Sequence, residues 1–149
     1  MLKDFRTGFV AIVGRPNVGK STLVNALVGR KISIVTPRPQ TTRHAIVGVL
    51  TRPNSQVLFV DTPGLHTRQR NLLNRAMNRA VEGALVGAEV ALFVVEAGVW
   101  KAADTFVLEH VLAARIPVIL AVNKVDLVRP KSALLPYLLA CEKRAGFHA

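Results

Sequence analysis

The run Gly14-Arg15-Pro16-Asn17-Val18-Gly19-Lys20-Ser21 constrains this chain more than any other stretch. It follows the apolar run Phe9-Val10-Ala11-Ile12-Val13, which reads as a short buried strand. It precedes Thr22-Leu23-Val24-Asn25-Ala26-Leu27-Val28, whose apolar residues fall at helical spacing. Strand, G-x-x-x-x-G-K-S and helix in that order define a phosphate loop rather than a glycine turn with a stray lysine. Gly14 and Gly19 let the backbone turn tightly and bring N–H groups close to phosphate oxygens. The helix start near Gly19 adds its positive dipole end and free N–H groups. Lys20 reaches toward the β- and γ-phosphates, and the Ser21 hydroxyl is placed to ligate magnesium. The loop and its first helical turn, Gly14, Arg15, Pro16, Asn17, Val18, Gly19, Lys20, Ser21 and Thr22, form the phosphate-binding set.

A chain of 149 residues, half of them hydrophobic, makes one domain with a full core and is not disordered. No apolar run is long enough to cross a bilayer, and the start Met1-Leu2-Lys3-Asp4-Phe5-Arg6 lacks the apolar segment of a secretory signal. The single cysteine, Cys141, lies in an apolar helical stretch and is expected to be a buried thiol. A cytoplasmic location fits these features best. The net charge of +11 is unevenly placed. Residues 1–80 hold 13 Lys/Arg against Asp4 and Asp61, whereas residues 81–149 hold seven charges of each sign. A nucleotide needs one or two of those cations. The remainder suits an anionic partner such as RNA or a membrane surface, or else a solvated basic face. With 5% aromatic residues, a base-stacking surface is not expected.

Along the chain the pattern predicts strand 8–13, helix 20–29, a loop over 31–44, strands 45–51 and 56–61 joined by the turn Arg52-Pro53-Asn54-Ser55, and a loop over 62–70. A helix near 71–85 follows, with Leu73, Met77, Ala80 and Ala84 on one face. Strand 89–95, helix 102–115, strand 117–122 and a helix near 131–144 complete the series. This alternation predicts an α/β three-layer sandwich: a mostly parallel sheet with helices on both faces. The run Val118-Ile119-Leu120-Ala121-Val122 shows no polar alternation, as expected of a strand covered on both sides.

Three further motifs follow predicted helices or strands. Asp61-Thr62-Pro63-Gly64 ends the run Val57-Leu58-Phe59-Val60, and an acid at the carboxyl end of a parallel strand sits where ligands bind in open α/β sheets. Asp61 is expected to hold magnesium through water, and Gly64 to offer its N–H to the γ-phosphate. Asn123-Lys124-Val125-Asp126 follows strand 117–122. The Asp126 carboxylate can accept from the N1–H and 2-amine of guanine. Adenine offers neither donor, which argues against an ATPase. Asn123 is expected to tie this loop to the phosphate loop, and Lys124 to lay its stem over the base. In Gln40-Thr41-Thr42-Arg43-His44, Thr42 rather than Thr41 is the candidate that ligates magnesium and senses the γ-phosphate, with Pro37 and Pro39 keeping the segment irregular. The candidate catalytic set is therefore Lys20, Thr42 and Gly64, and the candidate metal set Ser21, Thr42 and Asp61. His44 and His66 receive no chemical role.

Together, Gly-Arg-Pro-Asn-Val-Gly-Lys-Ser, Pro-Gln-Thr-Thr-Arg-His, Asp-Thr-Pro-Gly-Leu-His and Asn-Lys-Val-Asp resemble the Era GTPases, of the translation-factor-related class. Residues 28–35 and Phe93-Val94-Val95-Glu96 share the likeness, which extends over roughly residues 5–147. The resemblance implies a Ras-like P-loop fold and a switch that binds GTP or GDP with magnesium, hydrolyses GTP slowly and assists assembly of the small ribosomal subunit. A rival reading is a nucleotide-gated RNA- or ribosome-binding module with little turnover. Members of the family carry a C-terminal KH domain that binds small-subunit ribosomal RNA, and some associate peripherally with the membrane. The sequence ends at Gly146-Phe147-His148-Ala149, so residues 1–149 read as a truncated GTPase domain without the last strand, the Ser-Ala motif beside the guanine, the last helix and the KH domain. Strand 117–122 is then expected to have an unpaired edge. Leu65 stands where Ras-like GTPases place the glutamine that orients water. Related GTPases with an asparagine in the phosphate loop hold potassium there, which implies the same for Asn17.

Overall fold

A computed structural model describes residues 4–29, 45–61, 79 and 81–149. Strand β1 (Arg6–Val13) lies at the centre, and helix α1 (Lys20–Val28) follows it through the phosphate loop. Strands β2 (Ala45–Arg52) and β3 (Ser55–Asp61) form the expected antiparallel hairpin around Pro53-Asn54, and the Asn54 carbonyl accepts the Arg6 N–H at 3.0 Å. β4 (Val90–Glu96), α2 (Ala102–Ala113), β5 (Val118–Asn123) and α3 (Leu134–Glu142) complete the sequence of elements. The sheet order is β2-β3-β1-β4-β5, with β2 alone antiparallel to its neighbour.

Side-chain alternation along the strands divides the core between two faces. Ala11, Val13, Ala91, Phe93 and Val95 face one layer, against Ala84, Leu85, Val107 and Val111 of the 81–85 helical turn and α2. Ile12, Val94 and Phe59 face the other, against Val24 of α1 and the buried loop residue Val18. This is the three-layer sandwich that the alternation of elements predicts. Gly48 of β2 allows α1 to come close, because a Cβ there would lie 2.8 Å from Val24 Cγ1 and 2.9 Å from Val28 Cγ2. Cys141 is buried, as expected. Among the described residues, no helix is long and apolar enough to cross a membrane.

Three details differ from expectation. The run 118–122 of β5 is apolar, yet only Val118 is fully buried, because β5 lies outermost in the five-stranded order and its flanks are only half covered. Its outer edge is not unpaired either: His148 donates its N–H to the Val118 carbonyl at 2.8 Å, and Leu120 donates to the Ala149 carbonyl at 2.9 Å. The last helix begins at Leu134 rather than 131. Residues Lys131–Ala133 form a 3-10 turn, and Pro136 falls in the first turn of α3, where its missing N–H costs nothing. The predicted loops 31–44 and 62–70 and the helix before residue 79 lie outside the described residues.

The close approach of α1 to Gly48 makes a direct prediction. Gly48→Ala should destabilise the protein by about 1–3 kcal/mol by overpacking, read as a lower midpoint in urea unfolding. An unchanged midpoint would mean that α1 does not press on β2.

Candidate functional site

The site is built where β1, β3, β4 and β5 end, because parallel strands deliver their carboxyl termini to one side of the sheet. Gly14 leaves β1 against β4: a Cβ at this position would lie 2.5 Å from the Val94 carbonyl oxygen. Pro16 and Asn17 form the exposed tip, and Asn17 takes a left-handed conformation (φ 66°) that asparagine tolerates well. Val18 turns inward and is wholly buried. Gly19, with φ 94°, caps the start of α1, and a Cβ there would overlap the Asn123 side-chain nitrogen. Glycine is required at this position by both its backbone angle and its neighbour.

Lys20 opens α1 and folds over the loop, its Nζ donating to the Gly14 carbonyl at 2.7 Å and the Arg15 carbonyl at 3.1 Å. Burial lowers its pKa from the ordinary lysine value, the Asp61 charge opposes that shift, and the Arg15 charge adds to it. Ser21 and Thr22 occupy the exposed first turn of the same helix. Asp61 ends β3 in register with Ile12 of β1, one residue before the end of that strand. Ser21 and Asp61 thus stand at the same end of the sheet with the oxygen chemistry that suits magnesium. Among the described residues, no group of three His, Cys, Asp or Glu side chains gathers into an all-protein metal cage. Thr42 and Gly64, with Thr41, Arg43, His44, Leu65 and His66, lie outside the described residues.

The second half of the site comes from the end of β5. Asn123 donates its side-chain N–H to the Val18 carbonyl at 2.9 Å, the tie that its motif predicts. Lys124, itself left-handed at φ 59°, donates to the Asn17 carbonyl at 2.6 Å. Asp126 follows on the exposed 3-10 turn Val125–Leu127. The phosphate loop and the Asn123-Lys124-Val125-Asp126 loop are therefore stitched together across more than 100 residues of sequence.

Arg15 behaves differently from the other loop residues. Its side chain is 7% exposed and is held by two carboxylates. Its Nε donates to Asp104 Oδ2 at 3.1 Å and its Nη2 to Glu96 Oε2 at 3.0 Å. Its guanidinium is thus engaged by two carboxylates. Asp104, 0% exposed, also accepts the Lys101 N–H at 2.8 Å at the start of α2, and among the described residues its Oδ1 finds no hydrogen-bond partner. The hydrogen bond from Arg15 holds the Glu96 carboxyl below its ordinary pKa, and the Lys124 charge, 3.8 Å away, acts in the same direction. Sequence reasoning missed Glu96 and Asp104. The rule that singles out Asp61, an acid where a parallel strand ends, also singles out Glu96. Asp104 carries no comparable local signal.

Because Asp104 is buried with its charge, Arg15→Met should destabilise the protein by about 3–5 kcal/mol. Arg15→Met combined with Asp104→Asn should recover much of that loss, since an amide can still accept from Lys101 without leaving a charge. Urea unfolding of the three proteins checks this. A double variant no more stable than Arg15→Met would show that charge burial is not the cause.

Comparison with known proteins gives a consistent picture. Residues 9–124 match the family model described as 50S ribosome-binding GTPase. The chain is 53% identical over 144 residues to the GTPase Era of Xanthomonas oryzae pv. oryzae (strain MAFF 311018), covering 97% of this chain and 48% of that protein. It is 55% identical over 142 residues to the GTPase Era of Stenotrophomonas maltophilia (strain K279a), covering 95% and 48% respectively. The chain thus spans about half the length of the curated relatives it matches. Among solved structures, Era in complex with MgGDPNP and nucleotides 1506–1542 of 16S ribosomal RNA superposes with a TM-score of 0.73 at 38% identity, over 93% of this chain and 47% of that one.

Proposed function

The chain belongs to the 50S ribosome-binding GTPase family as an Era-type GTPase domain, and from that premise we propose that it binds GTP and GDP with magnesium and hydrolyses GTP slowly as a molecular switch. The observation that carries the reading is the meeting of two loops: Asn123 on Val18 at 2.9 Å and Lys124 on Asn17 at 2.6 Å. That junction supports the reading because Asp126, the carboxylate we assign to the base, lies on the 3-10 turn that directly follows Lys124.

Each residue then has a chemical task. Backbone N–H groups from Gly14 to Ser21, Pro16 excepted, and the N-terminus of α1 receive the phosphate oxygens. Lys20, already desolvated, contributes its charge at the β- and γ-phosphates. Ser21, Asp61 and Thr42 would hold magnesium, which when bound offsets charge on the β- and γ-oxygens. Gly64 offers its N–H to the γ-phosphate, and with Thr42 makes the switch sensitive to hydrolysis. Asp126 accepts the guanine donors, and Lys124 covers the base with its stem.

In the longer proteins of which this chain matches half, the same switch would act on the small ribosomal subunit and its RNA. The relative solved with 16S ribosomal RNA supports that partner. The basic excess of residues 1–80 suits a polyanion, with peripheral membrane contact and a cytoplasmic location as further parts of the proposal. Potassium is the proposed second cation. Leu65 offers no hydrogen-bonding group for water or charge, whereas Asn17 sits exposed at the loop tip with an amide oxygen free to rotate toward a monovalent ion. A cation there would stabilise developing charge electrostatically.

Two measurements test these roles. Asp126→Asn should weaken GTP binding by roughly 2–4 kcal/mol, because charge-assisted bonds are lost and guanine donors are left unpaired. Titration of labelled GTP and GDP decides it, and wild-type affinity would remove Asp126 from the base site. Turnover of the wild type should be faster in potassium than in sodium at equal ionic strength, with the difference lost in Asn17→Ala. Equal turnover across a potassium titration would reject the cation site.

A further inference from the structure

Glu96 ends β4 and is fixed from several directions. It pairs in register with Asn123 of β5, and the next N–H, that of Ala97, donates to the Asn123 carbonyl at 2.8 Å. The Tyr137 hydroxyl of α3 donates to the Glu96 carbonyl at 2.8 Å and lies 3.0 Å from the Val99 carbonyl, so the backbone is held at both sides of the residue. Burial pushes the Tyr137 hydroxyl up, well away from ionisation, and keeps it a donor. The carboxylate is equally constrained. Its Oε2 accepts from Arg15 Nη2 at 3.0 Å, and Arg15 is itself anchored on the buried Asp104. The same oxygen faces Lys124 Nζ at 3.8 Å.

Lys124 therefore has two anchors, the Asn17 carbonyl and the Glu96 carboxylate. With its ammonium held at one end and its left-handed backbone at the other, its four-carbon stem is tethered at both ends. A lysine stem that must lie flat on a base loses rotamer freedom, and a group that fixes it beforehand lowers that cost. We propose that Glu96 is a positioning residue for guanine recognition: anchored by Arg15, its carboxylate holds Lys124 in the conformation that covers the base. This inference rests on the guanine-nucleotide reading above. It extends the base site by a residue that does not touch the nucleotide, and it links that site to the ion pair beneath the phosphate loop.

Glu96→Gln separates the two sides of the carboxylate. The amide oxygen still accepts from Arg15, whereas the charge facing Lys124 is gone. Glu96 is 24% exposed and the change is isosteric, so the fold is retained. The experiment measures release of fluorescent GDP by stopped flow from wild type, Glu96→Gln, Lys124→Ala and the double variant. Glu96→Gln should release GDP about three- to fivefold faster, the range expected of a partly exposed pair. Lys124→Ala should also release faster, and adding Glu96→Gln to it should change nothing further. An unchanged rate in Glu96→Gln overturns the proposal. So does the same acceleration in both backgrounds, which would mean that Glu96 acts through the fold rather than through Lys124. A wild type that binds no GDP would instead remove the nucleotide reading, and this inference with it.

Discussion

Everything chemical in this domain depends on β1 being hydrogen-bonded along both edges in the parallel sense, to β3 and to β4. Parallel pairing fixes polarity. The loops that leave β1, β3, β4 and β5 must then emerge on one side of the sheet, however far apart they lie in sequence. Register tightens this further. Ile12 is level with Asp61, Val13 with Phe93, and Glu96 with Asn123, so the phosphate loop is flanked by the ends of its neighbours. An antiparallel partner at either edge would carry its motif to the opposite end. The antiparallel strand, β2, sits at the outside of the sheet, beyond β3, where it reverses nothing that the site needs.

The sequence exposes the parts of this arrangement whose physics is local. Glycines 14 and 19, the lysine between loop and helix, and Asn123 with its neighbours are all readable from spacing. Their roles depend on a turn, a helix start or a strand end a few residues away. The two-sided core is readable too, because Ala11 and Val13 alternate with Ile12 in the simplest strand pattern. β5 misleads for the complementary reason: apolarity reports which residues tolerate burial, and the order of strands decides how much of it they receive. Arg15 shows the same limit more sharply. It stands at a variable position of the phosphate-loop pattern, where the backbone does the binding, and nothing nearby tells where its guanidinium goes. Its partners lie 81 and 89 residues away. Asp104, for its part, sits in the first turn of a helix, which by itself suggests no more than a favourable dipole contact.

The Arg15–Asp104 contact therefore calls for a physical explanation. A buried ion pair is often no more stabilising than apolar residues of the same volume. Here the pair does something that apolar residues could not. Arginine's planar fork spans two carboxylates on different elements, β4 and α2, while its own backbone belongs to the loop. One side chain thereby fixes the loop's height above the sheet and the start of the next helix. Glu96 extends the same connection to Lys124, so the loop and the base-side lysine share an anchor. Asp104 Oδ1, buried without a hydrogen bond among the described residues, is a real cost of this design.

The charge balance around the loop points to how the site attracts phosphate. Arg15, Lys20 and Lys124 meet Glu96, Asp104 and Asp61, so the described side chains nearly cancel one another. Arg15 is engaged by its two carboxylates. A lysine ammonium has three donors. Among the described residues Lys20 gives two to the carbonyls of Gly14 and Arg15, so a third would remain for a phosphate oxygen in the proposed nucleotide complex. On the proposed function, attraction would come mostly from the backbone N–H groups and the N-terminus of α1. By sequence, eleven of the thirteen Lys/Arg of residues 1–80 lie outside the phosphate loop, more cations than a nucleotide would need as counter-charge. Nucleotide binding through short-range desolvated dipoles would be far less sensitive to salt than a polyanion contact made by a basic surface. On the proposed function, the two kinds of binding would then respond differently to salt.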